Sequence, residues 1–200
     1  MIPKIIHQIH LGSKPLSEEE LHWQKSWLKY NPDWTMFLWD DTKIYDLPIK
    51  NYEQFKRCKN YSEQSDILRF EVIYKFGGIY IDTDFECLRD ISSLVVGRDL
   101  VLCLQTPTVI CGAFIAATKE NKDIKKIIDG IPQRELTHSR KNSAIKYGPG
   151  YITDILGIKK ALSKNLVYPY LWTEKHRRHE DFRETCPEAY AVHHWKGSWL

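Results

Sequence analysis

Apolar positions along this chain fall into short buried runs that alternate with stretches at helical spacing. Residues 4–9 read as a first strand. Residues 17–30 read as a helix, with Ser17 and Glu20 at capping-box spacing and Trp23 and Trp27 one turn apart as core residues. Asn31-Pro32-Asp33 ends that helix, and Thr35–Trp39 suggests a second strand. Residues 61–75 predict a long helix. Ser62 is its expected N-cap, Glu63 lies near the positive end, and Gly77 and Gly78 suit its C-terminus. Ile79-Tyr80-Ile81 then reads as a buried strand. Residues 100–104 and 113–117 are further strand candidates, followed by a helix over 122–128. Residues 132–147 read as a long polar loop, the kind that often carries function, and part of an acceptor site is expected on it. Gly148-Pro149-Gly150 breaks the chain before a helix over 151–162, and residues 189–193 read as a last strand. Helix, glycine turn and buried strand make an α/β unit, and ligands in such units bind beyond the carboxyl ends of the strands.

The first chemistry lies at such an end. Asp82 and Asp84 follow the buried strand with one residue between them. Side chains two apart project to the same side while a run stays extended, so the pair can present oxygen to a hard divalent cation. Mg²⁺ and Mn²⁺ prefer that chemistry and share their sites with substrate phosphates. Asp-x-Asp alone is weak, because Asp is common in turns and caps. Asp66 and Arg69 stand three apart on the preceding helix, which on spacing alone is a surface ion pair worth under about 1 kcal/mol. A strand ending in His193 and His194 can deliver one imidazole, and alternation allows only one of the two to face a metal.

Ile2 to Gly12, Asn31-Pro-Asp-Trp34, Ser65-Asp-Ile-Leu-Arg69, Gly77 to Asp84 and His193 to Trp199 together resemble the glycosyltransferases with a DXD sugar-binding motif. That group includes yeast α-1,6-mannosyltransferases and bacterial capsular polysaccharide transferases. The α-1,4-galactosyltransferases and the large clostridial glucosylating toxins are more distantly similar. The resemblance runs from residue 2 to residue 199. It implies a GT-A fold, an α/β architecture with one mixed central sheet flanked by helices. It also implies a metal-dependent, configuration-retaining hexose transfer from a UDP- or GDP-linked sugar to a glycan or glycolipid hydroxyl.

Carried onto this chain, the resemblance implies that Asp82 and Asp84 bridge Mn²⁺ (or Mg²⁺), diphosphate and ribose. It implies that Asp66 and Arg69 contact the donor sugar, reversing the reading from spacing. Ile9 and His10 fall beside the nucleobase, Gly78 and Tyr80 beside the donor pocket, and Ser198 and Trp199 in a closing element near the diphosphate. The resemblance implies that His193 or His194 completes the metal shell, and the family pattern favours His193. His10 stands where the family usually has Trp, which leaves the base undetermined. A nucleotide-sugar-binding protein without turnover and a metal-dependent nucleotide-sugar hydrolase are the alternatives.

Composition narrows the picture further. Two hundred residues suit one domain over 1–200. With 42% hydrophobic and 12% aromatic residues, disorder is excluded as the dominant state. A net charge of +3 with interleaved signs does not favour a nucleic-acid partner. The five cysteines are odd in number and lack CxxC spacing, which fits reduced thiols. The first strand begins too early for a leader and no apolar run reaches spanning length, so a cytoplasmic enzyme with at most peripheral membrane contact is expected. The basic run from Lys175 to His179 reads as a solvated face, with contact to anionic lipid head groups as the alternative.

Overall fold

The computed structural model describes residues 1–138 and 143–196. Its centre is a five-stranded sheet in the order β2-β1-β3-β6-β5. The strands are β1 (Ile5–Ile9), β2 (Thr35–Trp39), β3 (Gly78–Ile81), β5 (Leu100–Thr106) and β6 (Val109–Ala117). β1 runs parallel to β2 and β3, whereas β6 is antiparallel to β3 and β5, so the sheet is mixed as expected. A second sheet, absent from the sequence reading, pairs β4 (Phe85–Cys87) with β7 (Ala191–His193) in antiparallel register. The helices in chain order are α1 (Glu18–Tyr30), α2 (Tyr52–Lys56), α3 (Tyr61–Phe76), α4 (Ser92–Val95), α5 (Lys122–His138), α6 (Ser143–Lys146), α7 (Pro149–Leu156) and α8 (Phe182–Thr185).

Two apolar cores sandwich the central sheet. One joins Tyr80 and Ile115 to Ile67, Phe70 and Ile73 of α3, Ile127 of α5 and Ile152 of α7. The other joins Ile6, Ile79, Ile81 and Phe114 to Trp27 of α1 and Phe85 of β4. Alternation along β3 therefore sends Tyr80 to one core and its two isoleucine neighbours to the other. Trp27 is a core residue, as read from its spacing, and its indole N–H donates to the Phe85 carbonyl at 2.9 Å.

Several local expectations are corrected. The N-cap of α3 is Asn60, whose side chain accepts from the Glu63 N–H, rather than Ser62. Residues 132–138 continue helix α5 instead of opening a loop. Pro132 removes the N–H that would bond the Ile128 carbonyl one turn back. That carbonyl instead accepts from the Asn51 side-chain amide at 3.0 Å, a partner 77 residues away. Helix α7 stops at Leu156 because Gly157 takes a left-handed conformation (φ +62°), so the helix expected to reach residue 162 is cut short. Gly77 and Gly78 both have positive φ, and a Cβ at Gly78 would collide with the Ile5 carbonyl oxygen. Glycine is thus required for α3 to turn directly into β3 beside β1. Among the described residues, no helix is long and apolar enough to cross a membrane.

Candidate functional site

The site is assembled where β3 ends. Asp82 is tied to the sheet by its N–H, which donates to the Ala113 carbonyl at 3.0 Å. The chain then turns at Thr83 and Asp84 before entering β4. The two carboxylates are therefore not on one extended run, as the sequence suggested. They flank a turn that links the two sheets. They converge through β7, where His193 pairs in register with Phe85. His193 Nε2 lies 2.9 Å from an Asp84 carboxylate oxygen and 3.9 Å from one of Asp82. Ligand atoms of Asp82, Asp84 and His193 all lie within 4.8 Å of one another, a spacing that suits one cation.

The adjacent histidine points elsewhere, as alternation requires. His194 stacks on Trp23 with ring centroids 4.3 Å apart, and its Nε2 lies 3.1 Å from Glu86. Asp84 is held below the usual carboxylate range. Burial opposes this, but the His193 imidazole and the Lys196 N–H, 2.8 Å from Asp84 Oδ2, outweigh it. Two carboxylates suit Mn²⁺ or Mg²⁺, and the imidazole, which must be neutral to ligate, suits Mn²⁺ better than Mg²⁺.

Helix α3 brings the second half. Arg69 sits 2.8 Å from Asp66 and 3.7 Å from Asp82, and its guanidinium lies 4.8 Å from the centre of the Tyr80 ring. Tyr80 donates its hydroxyl to Asp82 at 2.7 Å. Asp66 and Arg69 are both about 6–7% exposed, which overturns the surface ion pair read from spacing. Burial pushes the Asp66 carboxyl up to about 7, against the pull of Arg69. A buried pair of this kind contributes little net stability, so stability alone does not account for it.

Gly112 on β6 makes room for this arrangement, since a Cβ there would lie 2.8 Å from an Arg69 terminal nitrogen and from Ile152. The sequence signal was present: a glycine inside an aliphatic strand marks a close approach.

Glu20 was read only as the partner in a capping box. It does close that box with Ser17, and it also accepts from Thr83 at 2.8 Å and pairs with Lys196 at 3.3 Å. One carboxylate thus ties α1 to the aspartate turn and to the segment after β7.

The remaining expected site residues are more dispersed. Ile9 is buried in the core, so only its backbone can face a ligand. His10 is partly exposed, with Nε2 2.6 Å from the Lys14 carbonyl oxygen. Gly78 lies at the opposite end of β3 from Asp82, where its contact with Ile5 already explains it. Ser198 and Trp199 fall outside the described residues. Near the loop after β1, a cleft of about 460 Å³ is lined by Asp41, Tyr45, Tyr52, Tyr61 and Gln64 among others. Gly12 borders it, donating to Asp41 and lying against the Tyr61 ring.

The mixed sheet, with an acidic and histidine cluster at its strand ends, has the GT-A fold of the solved structures it resembles. Residues 17–101 match the family described as a glycosyltransferase sugar-binding region containing a DXD motif. It is 24% identical over 203 residues to inositol phosphoceramide mannosyltransferase 3 of Schizosaccharomyces pombe. That match covers 98% of this chain but only 56% of the relative, so the chain spans about half of its length. Among solved structures it resembles the PaToxG glycosyltransferase, with a TM-score of 0.62 and 24% identity over 78% of this chain and 69% of that one. It also resembles the galactosyltransferase LgtC in complex with donor and acceptor sugar analogues. There the TM-score is 0.59 and the identity 8%, over 98% of this chain and 88% of the other.

Proposed function

We propose that residues 1–200 form one catalytic unit that transfers a hexose from a nucleoside-diphosphate sugar to a hydroxyl acceptor, with retention of configuration and dependence on a divalent metal. The observation that carries this reading is the meeting of Asp82, Asp84 and His193 with the buried Asp66–Arg69 pair at the carboxyl end of β3. Mn²⁺ or Mg²⁺ held by Asp82, Asp84 and His193 would supply positive charge against the departing nucleoside diphosphate.

The protein's own groups do the rest. Arg69 and Asp66 offer a donor and an acceptor in fixed geometry to the hydroxyls of the donor sugar, which orients its anomeric carbon. Tyr80 holds Asp82 through its hydroxyl and supports the Arg69 guanidinium on its ring face. Glu20 fixes the turn through Thr83. The tyrosine-lined cleft beside Gly12 suits the nucleobase, because aromatic rings stack on any base.

The acceptor in this reading is a glycan or a glycolipid head group. The name of the S. pombe relative points to a phosphoinositol lipid, and the basic stretch Trp172–His179 fits an anionic head group. The five free cysteines support a reducing, cytoplasmic compartment.

The test is incubation with Mn²⁺ and UDP-glucose, UDP-galactose or GDP-mannose, with and without hydroxyl acceptors. The reading expects nucleoside diphosphate release that rises with an acceptor and a glycosylated product whose anomeric configuration matches the donor. Release indifferent to every acceptor makes the protein a hydrolase, and binding without release makes it a nucleotide-sugar-binding protein.

A further inference from the structure

Trp172 is the one exposed tryptophan among the described residues, 45% accessible at the start of the 3-10 stretch Trp172–His179. A single exposed apolar side chain needs no explanation by itself. Its neighbours supply one. Its ring meets Trp195 edge-on with centroids 5.6 Å apart, and the Trp195 ring lies 4.0 Å from that of His193. The solvent-facing indole is therefore two ring contacts away from the acidic cluster.

Trp195 is also held at a backbone cost. Its φ is +50°, a left-handed conformation that a bulky residue rarely adopts, at a cost of order 1–3 kcal/mol. The conformation is kept in place from both sides. The Trp195 indole N–H donates to the Tyr170 carbonyl at 3.0 Å, and the next backbone N–H, from Lys196, donates to Asp84. Glycine would fill that position without strain. What tryptophan adds there is a ring beside His193 and a wall for Trp172.

We propose that Trp172 and Trp195 form the acceptor subsite, a ledge that takes the ring of a pyranose or cyclitol by stacking. The axial C–H bonds of such a ring present an apolar face to an indole, while its equatorial hydroxyls stay in water or face the donor. Indole is suited to this, being apolar over its face and losing little conformational freedom on contact. The ledge is continuous with the metal cluster, so a ring lying on it places a hydroxyl toward the donor sugar. This subsite rests on the transferase reading above, and it moves the acceptor away from residues 132–147, where the sequence had suggested it.

Trp172→Ala and Trp172→Phe would be compared with wild type using the donor that is turned over. Two rates are read: nucleoside diphosphate release to water, and transfer to lactose, methyl α-mannoside and myo-inositol. Trp172→Ala is expected to lower kcat/KM for a transferred ring acceptor at least tenfold, mainly through KM. Hydrolysis to water should change far less, and Trp172→Phe should recover most of the transfer. Equal losses in hydrolysis and transfer, or transfer unaffected by Trp172→Ala, overturn the ledge. So does wild-type hydrolysis when none of the three acceptors is glycosylated and none quenches tryptophan fluorescence in a way that Trp172→Ala abolishes. Absence of any donor turnover by wild type instead defeats the transferase reading itself.

Discussion

At the scale of single residues, Arg69 is the most constrained side chain of the site. It is enclosed by Asp66, Asp82, the Tyr80 ring and Gly112. One terminal nitrogen, Nη2, faces both carboxylates while Nε donates to the Ser65 carbonyl at 3.3 Å, a spread of donors that an ammonium cannot reproduce. Arg69→Lys keeps the charge and avoids leaving Asp66 buried without a cation. It is expected to lower donor-sugar turnover about a hundredfold, because the sugar is no longer held in register. Affinity for free nucleoside diphosphate, measured by calorimetry, should change much less. Equal losses for both ligands would make Arg69 a structural residue. Gly112→Ala tests the same geometry from the other side. The added methyl group must displace either the guanidinium or Ile152. We expect at least a tenfold loss of kcat/KM with a stability cost of about 1–3 kcal/mol by denaturant unfolding. Wild-type turnover in that variant would show that Arg69 can shift freely.

At the scale of elements, His7 shows how the strands are fastened together. Its Nε2–H donates to the Gly77 carbonyl at 2.9 Å, and its Nδ1 accepts from the Trp39 indole at 3.2 Å. One neutral imidazole thus joins β1 to β2 and to the turn that launches β3. Burial lowers its pKa to about 4, only partly offset by the Gly77 hydrogen bond. In the unfolded chain His7 binds a proton below about pH 6.5. Between pH 6.5 and 4 the unfolded state therefore holds more protons, and stability falls as the pH falls. The loss attributable to His7 approaches about 3 kcal/mol at the acid end. His7→Gln should be less stable than wild type at pH 7 yet lose less on acidification, as read by urea unfolding at several pH values. Parallel declines would show that His7 is not the titrating group.

The same scale explains what the sequence disclosed. β1, α1, β2, α3 and β3 were legible because their signals are local: isoleucine runs, the Ser17–Glu20 capping box, paired glycines. Burial of the Asp66–Arg69 pair was not, since spacing reports a shared helix face and not what packs on it. β4 was missed because three residues carry no periodicity and its partner β7 lies about a hundred residues on. The continuation of α5 through Pro132 depends on Asn51, which no window around the proline contains.

At the scale of the whole molecule, the acidic cluster is where remote parts of the chain close on one another. Asp82 and Asp84 come from the turn between the two sheets, and His193 comes from the far end of the described chain. The cores on either side of the central sheet touch this cluster only at their edges, where Phe85 stacks on His193 and Tyr80 bonds Asp82, and their burial of Ile67, Phe70, Trp27 and Ile79 needs no ion. Removing the metal should therefore abolish chemistry without unfolding the protein. After treatment with EDTA, far-ultraviolet circular dichroism is expected to stay near that of untreated protein while donor turnover disappears and returns on adding Mn²⁺. Mn²⁺ with nucleoside diphosphate should raise the melting temperature, since a ligand at a hundred times its Kd stabilises by about 2.7 kcal/mol. Asp84→Asn keeps the shape of the turn but withdraws the charge that faces His193. It should abolish both the Mn²⁺-dependent turnover and the ligand-induced rise in Tm. Turnover that survives EDTA, or an Asp84→Asn variant with unaltered Mn²⁺ dependence, would detach the cluster from the reaction. A chelator that unfolds the chain would instead make the ion a structural clasp between β4 and β7.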